Sequence, residues 1–173
     1  MKRLCVPAFL VVTGVTVALT LGTLWAAEGS SALKLTGRGK AAFELLRDAS
    51  WFEGSMVSDG NTSKVVAAWR VLIRERRGAR AFQRLLREGT MPGQLYGLAG
   101  LYLVAPPTFQ ASHQAYLLSD GEVQTFFGCI TAPVKVSTVV EDIVNGELPR
   151  RFRRGEPYEP FHWWVGRAQS GAN

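Results

Sequence analysis

The sequence predicts a mainly α domain, a compact set of antiparallel helix pairs with a small extended or β element, preceded by an N-terminal signal or anchor segment. Three observations lead there. Apolar residues recur at helical spacing from Ala41 to Leu118 and again from Val139 to Val144. Gly89, Pro106-Pro107 and Gly146 punctuate those stretches where helices should end. One run, Glu122 to Val136, is instead rich in β-branched and aromatic residues.

The chain has 173 residues, enough for one domain with extensions. Hydrophobic residues make up 47% and charged residues only 20%, which argues for a packed core rather than disorder. "MKR" is a short basic start, and Leu4 to Ala27 then carries no charge. That pattern reads as an export signal or a membrane anchor. Small residues at Ala27-Glu28-Gly29 and Ser30-Ser31-Ala32 favour cleavage, and Lys2 and Arg3 should stay cytoplasmic. Either outcome places the body outside the cytoplasm, in the periplasm, secreted, or anchored. The expected organisation is a leader over 1–29, a linker over 30–40, a helical domain over 41–149 and a basic, aromatic tail over 150–173.

Ala41 to Ala49 predicts a short helix with Ala42, Phe43 and Leu46 on one face. "SWFEGSMVSDGNTSK" reads as a loop from its Gly, Ser, Asn and Asp content, and Asn61-Thr62-Ser63 matches a glycosylation acceptor. Thr62 or Ser63 should cap a helix whose stripe is Val65, Val66, Trp69, Leu72 and Ile73. Gly78 breaks it. The next helix buries Phe82, Leu85 and Leu86 and ends at Gly89.

Thr90 should cap "MPGQLYGLAGLYLVA", with Pro92 in its first turn. Gly93, Gly97 and Gly100 fall at i, i+4 and i+7, a flat stripe on a helix that is apolar nearly all round. Such a helix belongs at the centre, with a neighbour packed on its glycine face. A fourth helical stretch follows Pro107. Glu122 to Val136 predicts one or two short strands, interrupted at Pro133. Ser137 should cap a helix burying Val139, Val140, Ile143 and Val144, ending at Gly146 with Pro149 beyond. The arginine- and proline-rich end predicts little regular structure.

Arginines carry the most pattern among candidate sites. Arg70, Arg74 and Arg77 stand at i, i+4 and i+7, and Arg80, Arg84 and Arg87 repeat the spacing. In a helical hairpin these stripes would meet and attract phosphate or carboxylate groups. A solvated face offset by Glu75 and Glu88 is the favoured reading. Arg150, Arg151, Arg153 and Arg154, with Trp163 and Trp164, form a second basic and aromatic set suited to a membrane surface. An ordinary basic tail is the plainer alternative, since prolines interrupt any amphipathic helix there.

Cys129, His113 and His162 are the conventional nucleophile-and-base residues. Phe126, Phe127 and Ile130 around Cys129 predict burial, where a thiol is inert. Phe109 and Tyr116 beside His113 predict a packed imidazole. With Cys5 in the leader, Cys129 is left alone and no internal disulfide is expected. The histidines lack metal-ligand spacing, and no GxSxG, phosphate-loop or HExxH motif occurs, so no catalytic residue, metal or cofactor is expected. The net charge is +6, or +4 without the leader. Export argues against a nucleic-acid partner and favours an envelope protein, anionic lipid or polysaccharide.

"SKVVAAWRVLIRERRGARAFQRLLREG" followed by "TMPGQLYGLAGLYLVAPPTFQASHQAYLL" resembles two helix pairs of the HEAT or armadillo type over residues 63–118. That resemblance implies a scaffold binding partners on a helical surface. "GQLYGLAGLY" with the later "GCI" resembles a family of exported bacterial proteins of uncharacterised activity, so no catalytic residue follows from it. The leading expectation is a non-catalytic envelope module for binding or structure. The alternative is an envelope hydrolase or thiol enzyme using Cys129 or a carboxylate such as Glu44 or Glu53.

Overall fold

The computed structural model describes residues 33–58, 60–160 and 162–163. The expected leader over 1–29 and the residue Trp164 lie outside them. A mainly α domain with several helix pairs is observed, and its extended element is a four-stranded mixed sheet. Among the described residues the buried core side chains lie between Ala42 and Trp163, and the domain from Leu33 onward is a compact unit of its own. Among the described residues no helix is long and apolar enough to cross a membrane.

Helix α1 spans Gly37–Arg47, opened by the Thr36 hydroxyl accepting from the Gly39 amide. It starts four residues before the expected boundary at 41, because this cap lies within the segment read as linker. Strand β1 (Phe52–Val57) and the short β2 (Asn61–Thr62) follow, where a loop was expected. Ser63 caps α2 (Lys64–Arg74), accepting from the Val66 amide at 3.1 Å. Helix α3 (Gly78–Glu88) ends at Gly89, and Thr90 caps α4 (Met91–Val104). Two short helices, α5 (Pro106–Ser112) and α6 (Gln114–Leu117), lead to strands β3 (Glu122–Gly128) and β4 (Ile130–Lys135). The chain then forms α7 (Val136–Asn145) and α8 (Glu147–Arg154).

The sheet order is β2-β1-β3-β4. β1 runs parallel to β3, with Phe52 opposite Thr125, and antiparallel to β2. β3 and β4 form an antiparallel hairpin, Val123 facing Val134. Pro133 is accommodated because β4 is an edge strand, whose outer side needs no ladder donor.

Helix α4 is the central helix, buried continuously from Leu95 to Leu101. Its glycine stripe is where neighbours come closest. A Cβ on Gly93 would lie 2.5 Å from the Leu46 carbonyl oxygen, and one on Gly100 would lie 2.5 Å from the Phe82 ring. Thus α1 meets one end of the stripe and α3 the other. Around α4 sits an aromatic cluster: Phe52 lies 4.7 Å from Tyr96 and 5.9 Å from Phe152, and Trp69 meets Phe152 edge-on at 5.9 Å. Each such ring contributes about 1.5–3 kcal/mol by leaving water.

Three expectations are corrected. Residues 150–154 belong to α8, not to an irregular tail, because Phe152 is fully buried in the aromatic cluster. Helix α7 does end at Gly146, and Pro149 beyond it sits third in α8, within the first turn, where a missing N–H costs nothing. Ser137 does not cap α7, whose N-cap is Lys135, and Val144 is 38% exposed rather than inward.

Candidate functional site

The buried polar chemistry converges on Asp142. This residue lies on α7 among Val139, Val140 and Ile143, on the face turned to the core, and is only 6% exposed. A carboxylate there must be satisfied by donors. Tyr158 Oη and Trp163 Nε1 each donate to Oδ2 at 2.6 Å, and His162 Nε2 lies 3.1 Å from Oδ1. All three come from the segment after α8, which turns at Gly155 with φ 78°. Trp163 is buried and meets Phe127 of β3 edge-on at 5.0 Å. Asp142 therefore straps the C-terminal segment across the domain.

Two consequences follow for the strap residues. Burial, then the hydrogen bond to Asp142 and its charge, push the Tyr158 phenol far above its ordinary range. Oδ2 takes both the Tyr158 and the Trp163 donors, and the His162 ring is oriented by the contact of its Nε2 with Oδ1. Glu147, Arg151, Pro157, Tyr158, Glu159 and His162 line an open cleft of about 360 Å³ beside it. Arg151 is engaged there by Glu147 at 2.6 Å and by the Pro157 carbonyl at 3.0 Å. The arrangement can orient an imidazole as a proton acceptor. Among the described residues, those lining the cleft include no serine, threonine or cysteine.

The expected arginine stripes are redistributed. Arg70 turns inward: its Nε donates to the Phe152 carbonyl at 2.7 Å, and its Nη2 is buried without a partner among the described residues. Desolvation, then the charge of Arg74, lower its pKa. Arg77 is not on α2 but is the N-cap residue of α3. Arg84 pairs with Glu88 at 2.7 Å and lies 5.5 Å from the Phe43 ring centre. Arg74 and Arg87 are exposed. Arg76, Arg77 and Arg80, with Ala79, line a shallow hollow of about 420 Å³ at the α2–α3 turn. Arg76 is the member absent from both expected stripes; it stands four residues before Arg80 but in the turn ahead of α3.

The second basic set is largely engaged by the domain itself. Arg150 donates to Tyr102 Oη at 3.1 Å, Arg151 to Glu147, and Arg154 to Glu156 at 2.6 Å, while Arg153 is exposed. Trp163 is inside, so it is not an interfacial anchor.

Cys129 is exposed, which corrects the expected burial. Gly128 at φ 57° turns the β3–β4 hairpin, and Cys129 occupies the turn rather than continuing the alternation of Phe127. Its thiol faces the Ser58 carbonyl at 3.7 Å. His113 is packed as expected, its Nδ1 3.1 Å from the Phe109 carbonyl and its ring stacked on Phe109 at 4.9 Å. The Glu53 carboxylate accepts from Ser63 Oγ at 2.6 Å, whereas Glu44 is exposed on α1. Among the described residues no three His, Cys, Asp or Glu side chains form a metal-binding group. Comparison with protein-family models, with curated proteins and with solved structures found no match.

Proposed function

We propose that the chain is an extracytoplasmic envelope protein acting as a binding or structural module without catalysis of its own. The observation that carries this reading is the employment of Asp142. All three of its donors come from the strap, so this buried carboxylate acts as a structural fastener. Tyr96 and Ser63 are used in the same way, the first on the Glu53 backbone and the second on the α2 terminus and the Glu53 side chain. Lys2, Arg3 and the uncharged run after them support the compartment. The partners that fit a basic exported domain are an envelope protein, an anionic lipid or an anionic polysaccharide.

An envelope hydrolase is the second reading, favoured by one observation: the His162 ring is oriented by Asp142 at the edge of an open cleft. The two readings separate in a strain lacking the chain. His162→Gln keeps an N–H for Asp142 but removes the base, and Cys129→Ser removes the thiol. Full complementation by both variants is the expected result, and failure of either with a folded product contradicts the non-catalytic reading. Cell fractionation with mass spectrometry of the N-terminus tests the compartment, and recovery from the cytoplasm contradicts it.

A further inference from the structure

We infer that the α2–α3 turn is the surface by which the domain docks on an anionic membrane, with Arg76, Arg77 and Arg80 taking the lipid phosphates. This rests on the binding-module reading and names that module's partner. Arg74, Arg76, Arg77 and Arg80 fall within seven consecutive residues, and the one carboxylate among them is Glu75. Glu75 is occupied elsewhere: its Oε1 accepts from the Thr36 hydroxyl at the start of α1. None of the four arginines forms a salt bridge among the described residues. Three of them line one hollow, a place where one anion can meet more than one guanidinium. The planar fork of arginine matches phosphate in a two-point contact that a lysine cannot make.

The choice of a membrane over a soluble polyanion comes from the Thr36–Glu75 hydrogen bond. It ties the arginine turn to the place where the chain enters the domain. Thr36 stands nine residues after Ala27, the last residue of the uncharged run. Nine residues span at most about 30 Å. A chain that crosses or has just crossed a bilayer through that run presents this turn close to the headgroups. The competing basic set on α8 is weaker in this respect, since Arg150, Arg151 and Arg154 already have partners.

The test uses the domain from Leu33 onward, which is a compact unit of its own, on mixed phosphatidylcholine and phosphatidylglycerol vesicles. A basic residue near an anionic leaflet contributes about 1 kcal/mol. The combined variant Arg76→Gln, Arg77→Gln, Arg80→Gln should therefore bind on the order of 100-fold more weakly. Arg153→Gln with Arg154→Gln should bind as the parent does, and added salt should weaken the parent. The lysine triple variant should retain part of the affinity, and equal melting temperatures would show that all variants are folded. Unchanged vesicle binding by the glutamine variant overturns the inference. Parent binding to an acidic polysaccharide but not to vesicles also overturns it, while leaving the binding-module reading in place. Binding to neither overturns it as well, and leaves an envelope protein as the partner of the binding module.

Discussion

The Asp142 carboxylate accepts a 2.6 Å hydrogen bond from the Trp163 indole, 21 residues further along the chain. That bond and its two companions turn a proline-interrupted C-terminal segment into part of the core. Asp142→Asn keeps the shape but loses the charge and presents N–H groups to donors. Hydrogen bonds to charged groups contribute about 1.5–3 kcal/mol, so the variant should lose about 2–4 kcal/mol. Urea unfolding at unchanged slope measures it, together with faster hydrogen exchange at the strap. Parent-like stability would show that the strap is held by something else.

Alkaline pH tests the centre of the domain. Burial is the largest cause raising the Tyr96 phenol well above its ordinary range, and its hydroxyl lies 2.6 Å from the Glu53 amide nitrogen. Raised folded-state pKa means that the neutral form is favoured by folding. Its stabilisation is complete below the unfolded value of about 10 and is lost as pH rises above it. One such tyrosine gives a decline of about 1.4 kcal/mol per pH unit. Tyr96→Phe should lower stability at neutral pH and flatten this decline. Parallel curves for parent and variant would contradict the assignment.

Gly100→Ala sets helix propensity against packing. Alanine should gain about 1 kcal/mol in a helix interior. The new methyl carbon would lie 2.5 Å from the Phe82 ring, which is fully buried and has little room to yield. Overpacking of this kind costs about 1–3 kcal/mol, so net destabilisation is expected from the urea midpoint. A stabilised variant would mean that α3 and α4 separate easily at this point.

Cys129 should react in the folded protein. Its place in the hairpin turn leaves it exposed, and Sγ has only a long contact to the Ser58 carbonyl. Labelling by a thiol reagent without denaturant should go to completion. Labelling that waits for unfolding would restore the burial expected from its apolar neighbours.

Local signals were legible in the sequence. Ser63, Thr90 and Gly89 mark helix ends because capping is decided within three or four residues. The glycine stripe of α4 was readable for the same reason, as spacing alone aligns Gly93, Gly97 and Gly100. Strand β1 was not, since Gly54 and Ser55 look like turn residues and its parallel partner β3 lies about seventy positions away. The α8 helix hid behind Pro149 and its arginines, although Phe152 is what the core takes from it. Asp142 gave no sign of its role: its donors follow at separations of 16, 20 and 21 residues, which no short motif records. The arginine hollow was half legible. Helical spacing found Arg77 and Arg80 but assigned Arg77 to α2 and passed over Arg76, because the turn rather than either helix brings them together.

In the proposed arrangement, buried polar groups serve the fold while partners are met at the arginine turn. Amide and arginine side-chain chemical shifts of the domain, followed during titration with a soluble short-chain phosphatidylglycerol, test this most directly. The largest changes should fall on Arg76, Arg77, Ala79 and Arg80, with Asp142 and His162 unmoved. Changes centred on Glu147, Tyr158 and His162 would contradict the claim and place ligand recognition in the strap cleft.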